Sequence, residues 1–344
     1  MDWDGRRINV EDLAQCDLLE EIPESVRYVG LSRVDIRELP PLPAHVTNLS
    51  LYGVTITRPA VLHEGLKYLN LVDVQNETSY LKWSFPSTLL SLTVRHNELN
   101  DEDSAGDIKI DLRGVTSTEI KLSSIYDHVD IRLPEGLEEL AIDQCVFRDS
   151  FELPPHLRKL SVWNIEDAQF LRGTNPQVTD LTIGRIEEAF DISYSFPSLK
   201  CLRFDGYRSP SMGKLRLPDL EDLFIVGHVP TDNFRVDCPK LEKLFIEVSH
   251  EGPSPYDSPD STLGDTVKEL SLTCVESFPT IANEWERLEY LSTTESIVEI
   301  PYIRWLTELV LDEAQVTNGA FVWDIDDYKK AWGFTARRKP ARRP

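Results

Sequence analysis

Apolar residues recur along this chain in one spacing, at the first, fourth and sixth positions of a short segment, with polar residues between them. Residues 133–167 show the pattern twice: Leu137, Leu140 and Ile142 are followed 20 residues later by Leu157, Leu160 and Val162. The same spacing begins at Val26, Val46, Leu66, Leu89, Val178, Leu199, Leu220, Leu241, Val267, Leu288 and Leu306, and most intervals are 20 or 21 residues. A gap of 48 residues follows Leu89 and one of 26 follows Leu241. The first fits a degenerate unit around Ile120 and Leu122 plus an acidic insertion near 97–111; the second contains a Ser/Pro/Gly-rich loop near 250–263. Side chains alternate along a strand, so apolar fourth and sixth positions predict a short strand with one buried side. One such unit cannot bury that side alone, and stacking the units in a parallel sheet builds a continuous core. The prediction is a repeat solenoid of about 13–14 units, β-rich on its inner, concave face.

A proline stands before many units. It lies three residues ahead of the first apolar position early in the chain (Pro23, Pro43, Pro86, Pro134, Pro154) and two ahead of it later (Pro176, Pro197, Pro218, Pro239). Units this short and this often broken by proline leave no room for a regular helix on the convex side, so extended or 3₁₀ segments are expected there.

On this spacing and these prolines, residues 22–316 resemble the short-repeat class of leucine-rich repeat proteins, including the LP-punctuated repeats of bacterial type III effectors and some fungal intracellular proteins. The resemblance implies a protein-binding role. One departure stands out: the asparagine expected three residues after the sixth position occurs only at Asn97, the equivalent positions being Val34, Val54, Val74, Cys145, Ile165, Ile186 and Val275. Effectors of that kind carry a C-terminal ubiquitin-ligase domain with a nucleophilic cysteine, whereas no cysteine follows Cys274 here, so that activity does not carry over. A substrate-recognition subunit of a ubiquitin ligase, or a diverged ligase effector without its catalytic domain, is the alternative role.

The ends read as caps: residues 1–21 before the repeats, residues 317–334 with Trp323, Tyr328 and Trp332 after them, then a basic tail at 335–344 that is expected to be disordered. The net charge of -23 disfavours nucleic acid and anionic membrane surfaces as partners and favours a basic protein. Five scattered cysteines without a CxxC pair read as reduced thiols, and no apolar run has the length of a signal peptide or membrane span, so the cytoplasm or nucleus is the expected location.

Phosphate-loop, dinucleotide, zinc-protease and serine-hydrolase motifs are all missing, and the seven histidines lack metal-ligand spacing, so no catalytic residue, metal or cofactor is expected. Candidate contacts come instead from positions facing the open side of the sheet. The fifth position carries small residues in most units but Arg203, Phe224 and Phe245 in three consecutive ones, flanked by Asp205, Val226 and Glu247 at the seventh and by Asp222 and Lys243 at the third. Arginine beside aromatic residues is typical of an interface hot spot. The alternative is that the two phenylalanines only stabilise the sheet by cross-strand stacking. Trp163 at a seventh position is a second candidate.

Overall fold

A computed structural model describes residues 2–3, 7–10, 22–58, 60–74, 83–95, 108–124, 129–147, 151–165, 168–186, 191–205, 214–227, 235–247, 266–273, 287–294, 297–299, 308–312, 315–317 and 322–323. The first insertion is described only from residue 108, and the second, residues 250–263, together with residues 324–344, Asn97 and Val275, lies outside the described residues. The chain divides into two units, Met1–Phe170 and Leu171–Pro344.

In the N-terminal unit, strands Arg7–Val10, Tyr28–Ser32, Asn48–Tyr52, Tyr68–Val72, Ser91–Arg95, Glu119–Ser123, Glu139–Asp143 and Lys159–Ile165 pair side by side, all parallel. Asp2–Trp3 adds an antiparallel strand beyond Arg7–Val10. The sheet thus reaches into the segment expected to act as a cap, with Ile8 buried opposite Val29. In the C-terminal unit the parallel strands are Asp180–Ile186, Cys201–Asp205, Asp222–Val226, Lys243–Glu247, Glu269–Thr273, Tyr290–Thr294 and Glu308–Asp312. Each unit is a solenoid of leucine-rich repeat type. The first, fourth and sixth residues of the repeat are buried almost throughout; Val46, Leu49 and Leu51 are no more than 1% exposed.

The opposite wall is built of pairs two to four residues long. Asp35–Ile36 lies parallel to Thr55–Ile56, Ile108–Asp111 to Val129–Arg132, Lys214–Arg216 to Arg235–Asp237, and Ile297–Glu299 to Gln315–Thr317. Helix among the described residues amounts to a 3₁₀ turn at Gln169–Leu171 and the four-residue Ile192–Ser195, capped by the Asp191 carboxylate, which accepts from the Tyr194 N–H.

Three backbone devices repeat. First, the N–H of the first apolar residue closes a four-residue turn onto the carbonyl three residues before it: Val26 to Pro23, Leu137 to Pro134, Leu157 to Pro154, Val178 to Asn175, Leu199 to Phe196, Leu220 to Leu217 and Leu241 to Cys238. The shift in proline position is therefore a shift inside one turn. Early prolines occupy the first turn position and supply the accepting carbonyl; later ones occupy the second, where a fixed φ near -65° is already that of the turn.

Second, in repeats of both units one carbonyl at the second position accepts two N–H donors from the next repeat. Thr47 and Asn48 donate to Arg27, Arg158 and Lys159 to Glu138, and Glu242 and Lys243 to Glu221.

Third, the residue at the eighth position is left-handed at Arg33, Gly53, Asp73, Ser124, Gln144, Asn164, Arg185 and Gly227, with φ from 51° to 91°. Its N–H donates to the seventh-position carbonyl of the following repeat, Arg33 to Tyr52, Gly53 to Val72, Gln144 to Trp163 and Gly227 to Glu247, at 2.7–3.0 Å. This ladder does the work that an asparagine ladder would otherwise do, satisfying turn polar groups through main chain alone. The freed ninth position is apolar and packs inward, Val34, Val54, Val74, Cys145, Ile165 and Ile186 all being buried.

One register change interrupts the N-terminal unit. Ile120 and Leu122 align with Leu140 and Ile142 on one side, but Leu122 lies opposite Leu92 on the other, a slip of two residues. An even slip keeps every side chain on its own face, so the core is undisturbed at the place where the insertion enters.

Candidate functional site

Alternation leaves the third, fifth and seventh positions on the open face of each sheet. In the C-terminal unit, Arg203, Phe224 and Phe245 are register partners on adjacent strands, and the two rings lie 6.0 Å apart with a 38° tilt. Asp205, Val226 and Glu247 form the parallel row on one flank, and Asp222 and Lys243 stand in the row on the other, continued by Glu269. Eight of the nine sequence candidates thus share one surface. Trp163 belongs to the other unit, where it pairs with Asp143, whose carboxylate accepts from the Asn164 side chain at 2.7 Å.

This surface is acidic and poorly neutralised. On the five strands from Asp180 to Thr273, the open face carries Asp180, Asp205, Asp222, Glu247 and Glu269 against Arg203 and Lys243, five carboxylates to two cations. Lys243 is engaged with Glu269 at 3.8 Å. Asp205 Oδ1 is shielded from solvent and accepts no hydrogen bond. Burial raises the Asp222 carboxyl above its ordinary range; Lys243 opposes this, and the charges of Glu221, Glu269 and Glu242 add to it. The Cys201 thiol is pushed up to about 11, first by burial and then by Asp180 and Asp222, which makes it a poor nucleophile. Cys238 is likewise raised to about 11, mainly by burial. Among the described residues, no group of three or more His, Cys, Asp or Glu side chains is placed to hold a metal ion. No helix among them is long and apolar enough to cross a membrane.

One stretch of the corresponding face of the N-terminal unit differs, before Glu119, Glu139 and Asp143 bring charge back to it. Its strands Tyr28–Ser32, Asn48–Tyr52 and Tyr68–Val72 present Tyr28, Gly30, Ser32, Asn48, Ser50, Tyr52, Tyr68, Asn70 and Val72, without a single charge. Tyr52 and Tyr68 are 43% and 45% exposed, unusual for large aromatic side chains. Asn70 donates to Ser50 Oγ at 3.1 Å. A Cβ at Gly30 would come within 2.6 Å of Asn9 Oδ1 and 3.3 Å of the Tyr28 ring, so the Asn9 side chain would have to shift to admit one. These tyrosines flank the small fifth-position residues Gly30, Ser50 and Asn70, so selecting units by a large fifth-position residue passes over them.

The repeat spacing, parallel register and turn ladders together define a leucine-rich repeat solenoid. No family model matches the chain, and no curated protein matches it in sequence. Among solved structures, it is similar to CroV588, described as a circular leucine-rich repeat protein, at 18% identity and a TM-score of 0.45, covering 85% of this chain and 47% of that one. The chain therefore spans about half the length of that protein. It is also similar to YopM from Yersinia enterocolitica WA-314, at 17% identity and a TM-score of 0.25, covering 87% and 80% of the two chains. The assignment rests on the chain's own register.

Proposed function

We propose that this protein is a non-enzymatic interaction scaffold and that the open face of its C-terminal unit binds a basic protein segment. The observation that carries the reading is the Phe224–Phe245 pair, held in register beside Arg203 and rimmed by Asp205, Asp222 and Glu247. Aromatic residues supply contact area at small entropic cost, and surrounding carboxylates steer and orient a cationic partner. Five scattered cysteines without a CxxC pair suit a chain that works with its thiols reduced, in the cytoplasm or nucleus.

The test is affinity purification from the native source with the full chain and with its Phe224→Ala/Phe245→Ala variant, read by mass spectrometry. The reading expects a basic partner that is retained at low salt, released as salt rises and lost with the double variant. Equal recovery by both proteins, with both folded by circular dichroism, would remove the patch from consideration.

A further inference from the structure

Away from the sheet, the segment that leads from Asp35–Ile36 to the entry turn at Pro43 has a chemistry of its own. Residues 37–43 read Arg-Glu-Leu-Pro-Pro-Leu-Pro. Proline fixes φ near -65° at Pro40, Pro41 and Pro43, while Leu39, Pro40 and Leu42 each precede a proline, which holds them to extended backbone. The sequence therefore specifies a polyproline II segment, with three residues per turn and no internal hydrogen bonds. In agreement, residues 39–43 are neither strand nor helix, and among the described residues no hydrogen bond engages residues 39–42. Only the ends are fastened: the Arg37 carbonyl accepts from the Arg58 N–H and Thr57 Oγ1, and the Pro43 carbonyl accepts from the Val46 N–H.

Packing sets this stretch apart from its equivalents in the same unit. Six residues before the first apolar position, Ala60, Trp83, Ile131 and Phe151 are all buried, whereas Pro40 is not. Three residues before it, Pro86, Pro134 and Pro154 are buried, whereas Pro43, like Pro23, is not. None of the seven residues from 37 to 43 is buried, and Arg37, Glu38 and Pro41 are exposed. Pro40 thus stands where other repeats place a core residue, yet it does not join the core. Glu38 pairs with Arg58 at 3.1 Å, but Arg37 makes no ion pair with any described residue. The stretch therefore offers apolar and cationic groups that the fold leaves unused.

We propose that residues 37–43 are a docking ligand for a partner domain of SH3 type, with a groove lined by aromatic side chains and a pocket of carboxylates at its end. Such grooves take polyproline II segments that are already formed, so little ordering entropy is lost on binding. Threefold periodicity puts Leu39 in one row with Leu42 and Pro40 in the next with Pro43, so two Leu-Pro steps fill two successive sites of the groove. Arg37 lies three residues before Pro40, in the row of Pro40 and Pro43, where its guanidinium can reach the carboxylates and set the direction of the segment. Leu39, Pro40, Leu42 and Pro43 keep part of their surface against the solenoid. With no hydrogen bond along residues 39–42, that contact can be given up locally while both ends stay fastened. The ligand stands independently of the reading given for Phe224 and Phe245.

The test is an array of purified SH3, WW and EVH1 domains probed with the labelled full chain. Retention by a subset of the SH3 domains alone is expected. Pro40→Ala/Pro43→Ala and, separately, Arg37→Glu should each weaken that binding on the order of tenfold or more. A synthetic peptide of residues 35–45 should compete with the full chain for the same domains, and Phe224→Ala/Phe245→Ala should leave binding unchanged. Arg37→Glu alters an exposed side chain and keeps every proline, so it serves if the proline variant proves unstable in thermal unfolding. The proposal is overturned if no SH3 domain retains the chain, if only WW or EVH1 domains do, if Arg37→Glu binds as tightly as the unaltered chain, or if the peptide binds and the folded chain does not.

Discussion

The two units run the same repeat on different punctuation and present different faces. In the N-terminal unit, proline sits at the first position of the entry turn, as at Pro23, Pro134 and Pro154, and its carbonyl closes the turn. In the C-terminal unit, Asn175, Phe196, Leu217 and Cys238 take that place, all buried, and proline moves to the second position. Pro154-Pro155 fills both positions in the last entry turn before the division. The open face is neutral and tyrosine-rich on the three strands from Tyr28 to Val72, carries Glu119, Lys121, Glu139, Asp143 and Lys159 further along the same unit, and is acidic with a phenylalanine pair in the C-terminal unit. Buried spacing is held constant because the core demands it, whereas punctuation and exposed chemistry vary because the turn tolerates either arrangement.

The firmest way to break the comparison is to attack what the units share. Leu160→Ala and Leu223→Ala, at equivalent fourth positions and each no more than 1% exposed, should each cost about 2–5 kcal/mol in urea unfolding, because a cavity adds to the lost transfer energy. A much smaller loss in one unit would show that its core is not packed as the other's is. Next in size is the left-handed turn. Gly53 has a φ of 56°, and an added Cβ would meet nothing nearer than Arg33 Cγ at 3.6 Å, so Gly53→Ala isolates backbone strain of about 1–2 kcal/mol, measurable by thermal unfolding.

The proline exchange should be smaller. Glu135 holds the second position of the turn begun by Pro134, and Glu135→Pro, copying Pro154-Pro155, is expected to stabilise by about 0.4–1 kcal/mol. Pro218→Ala in the other unit should lose a similar amount. Destabilisation by Glu135→Pro in a denaturant titration would mean that the early turns have a backbone incompatible with the later ones.

The smallest effects concern pH and have opposite signs. Arg113 donates to both oxygens of Asp111 and holds its carboxyl at about 2, below the ordinary 3.8. That carboxylate stabilises the fold above pH 3.8, and the benefit is lost as pH falls toward 2, so Asp111→Asn should weaken the protein slightly at neutral pH and not at pH 2. Asp222 is shifted upward, so its contribution is fully present below 3.8 and lost as pH rises through the folded value. Asp222→Asn should stabilise at neutral pH, with the gain vanishing below 3.8 in stability measured against pH.

Much of the architecture is legible in the chain because the spacing of Leu137, Leu140 and Ile142 encodes strand, face and repeat at once. The slip between Leu92 and Leu122 is not legible: an even shift preserves the apolar pattern, so hydrophobicity cannot distinguish it from perfect register. Nor are the left-handed turns, since Arg33, Asp73, Gln144 and Arg185 are not the glycines that usually announce such a backbone. The grouping of Arg203 with Phe224 and Phe245 follows from counting positions, because a regular ladder converts sequence offset directly into adjacency. That Asn70 Oδ1 accepts no hydrogen bond does not follow from counting, since it depends on where one amide rotates.

The main-chain ladder at the eighth position has an evolutionary consequence. Arg33, Gly53 and Gln144 donate the same bond with quite different side chains, so a newly copied repeat would be held at birth, before any of its letters had adapted. Such a chain can lengthen by duplicating a cassette of 20 or 21 residues and leave each copy's exposed rows free to drift toward a new ligand. A neutral surface and an acidic one on the same repeat are what that freedom would produce.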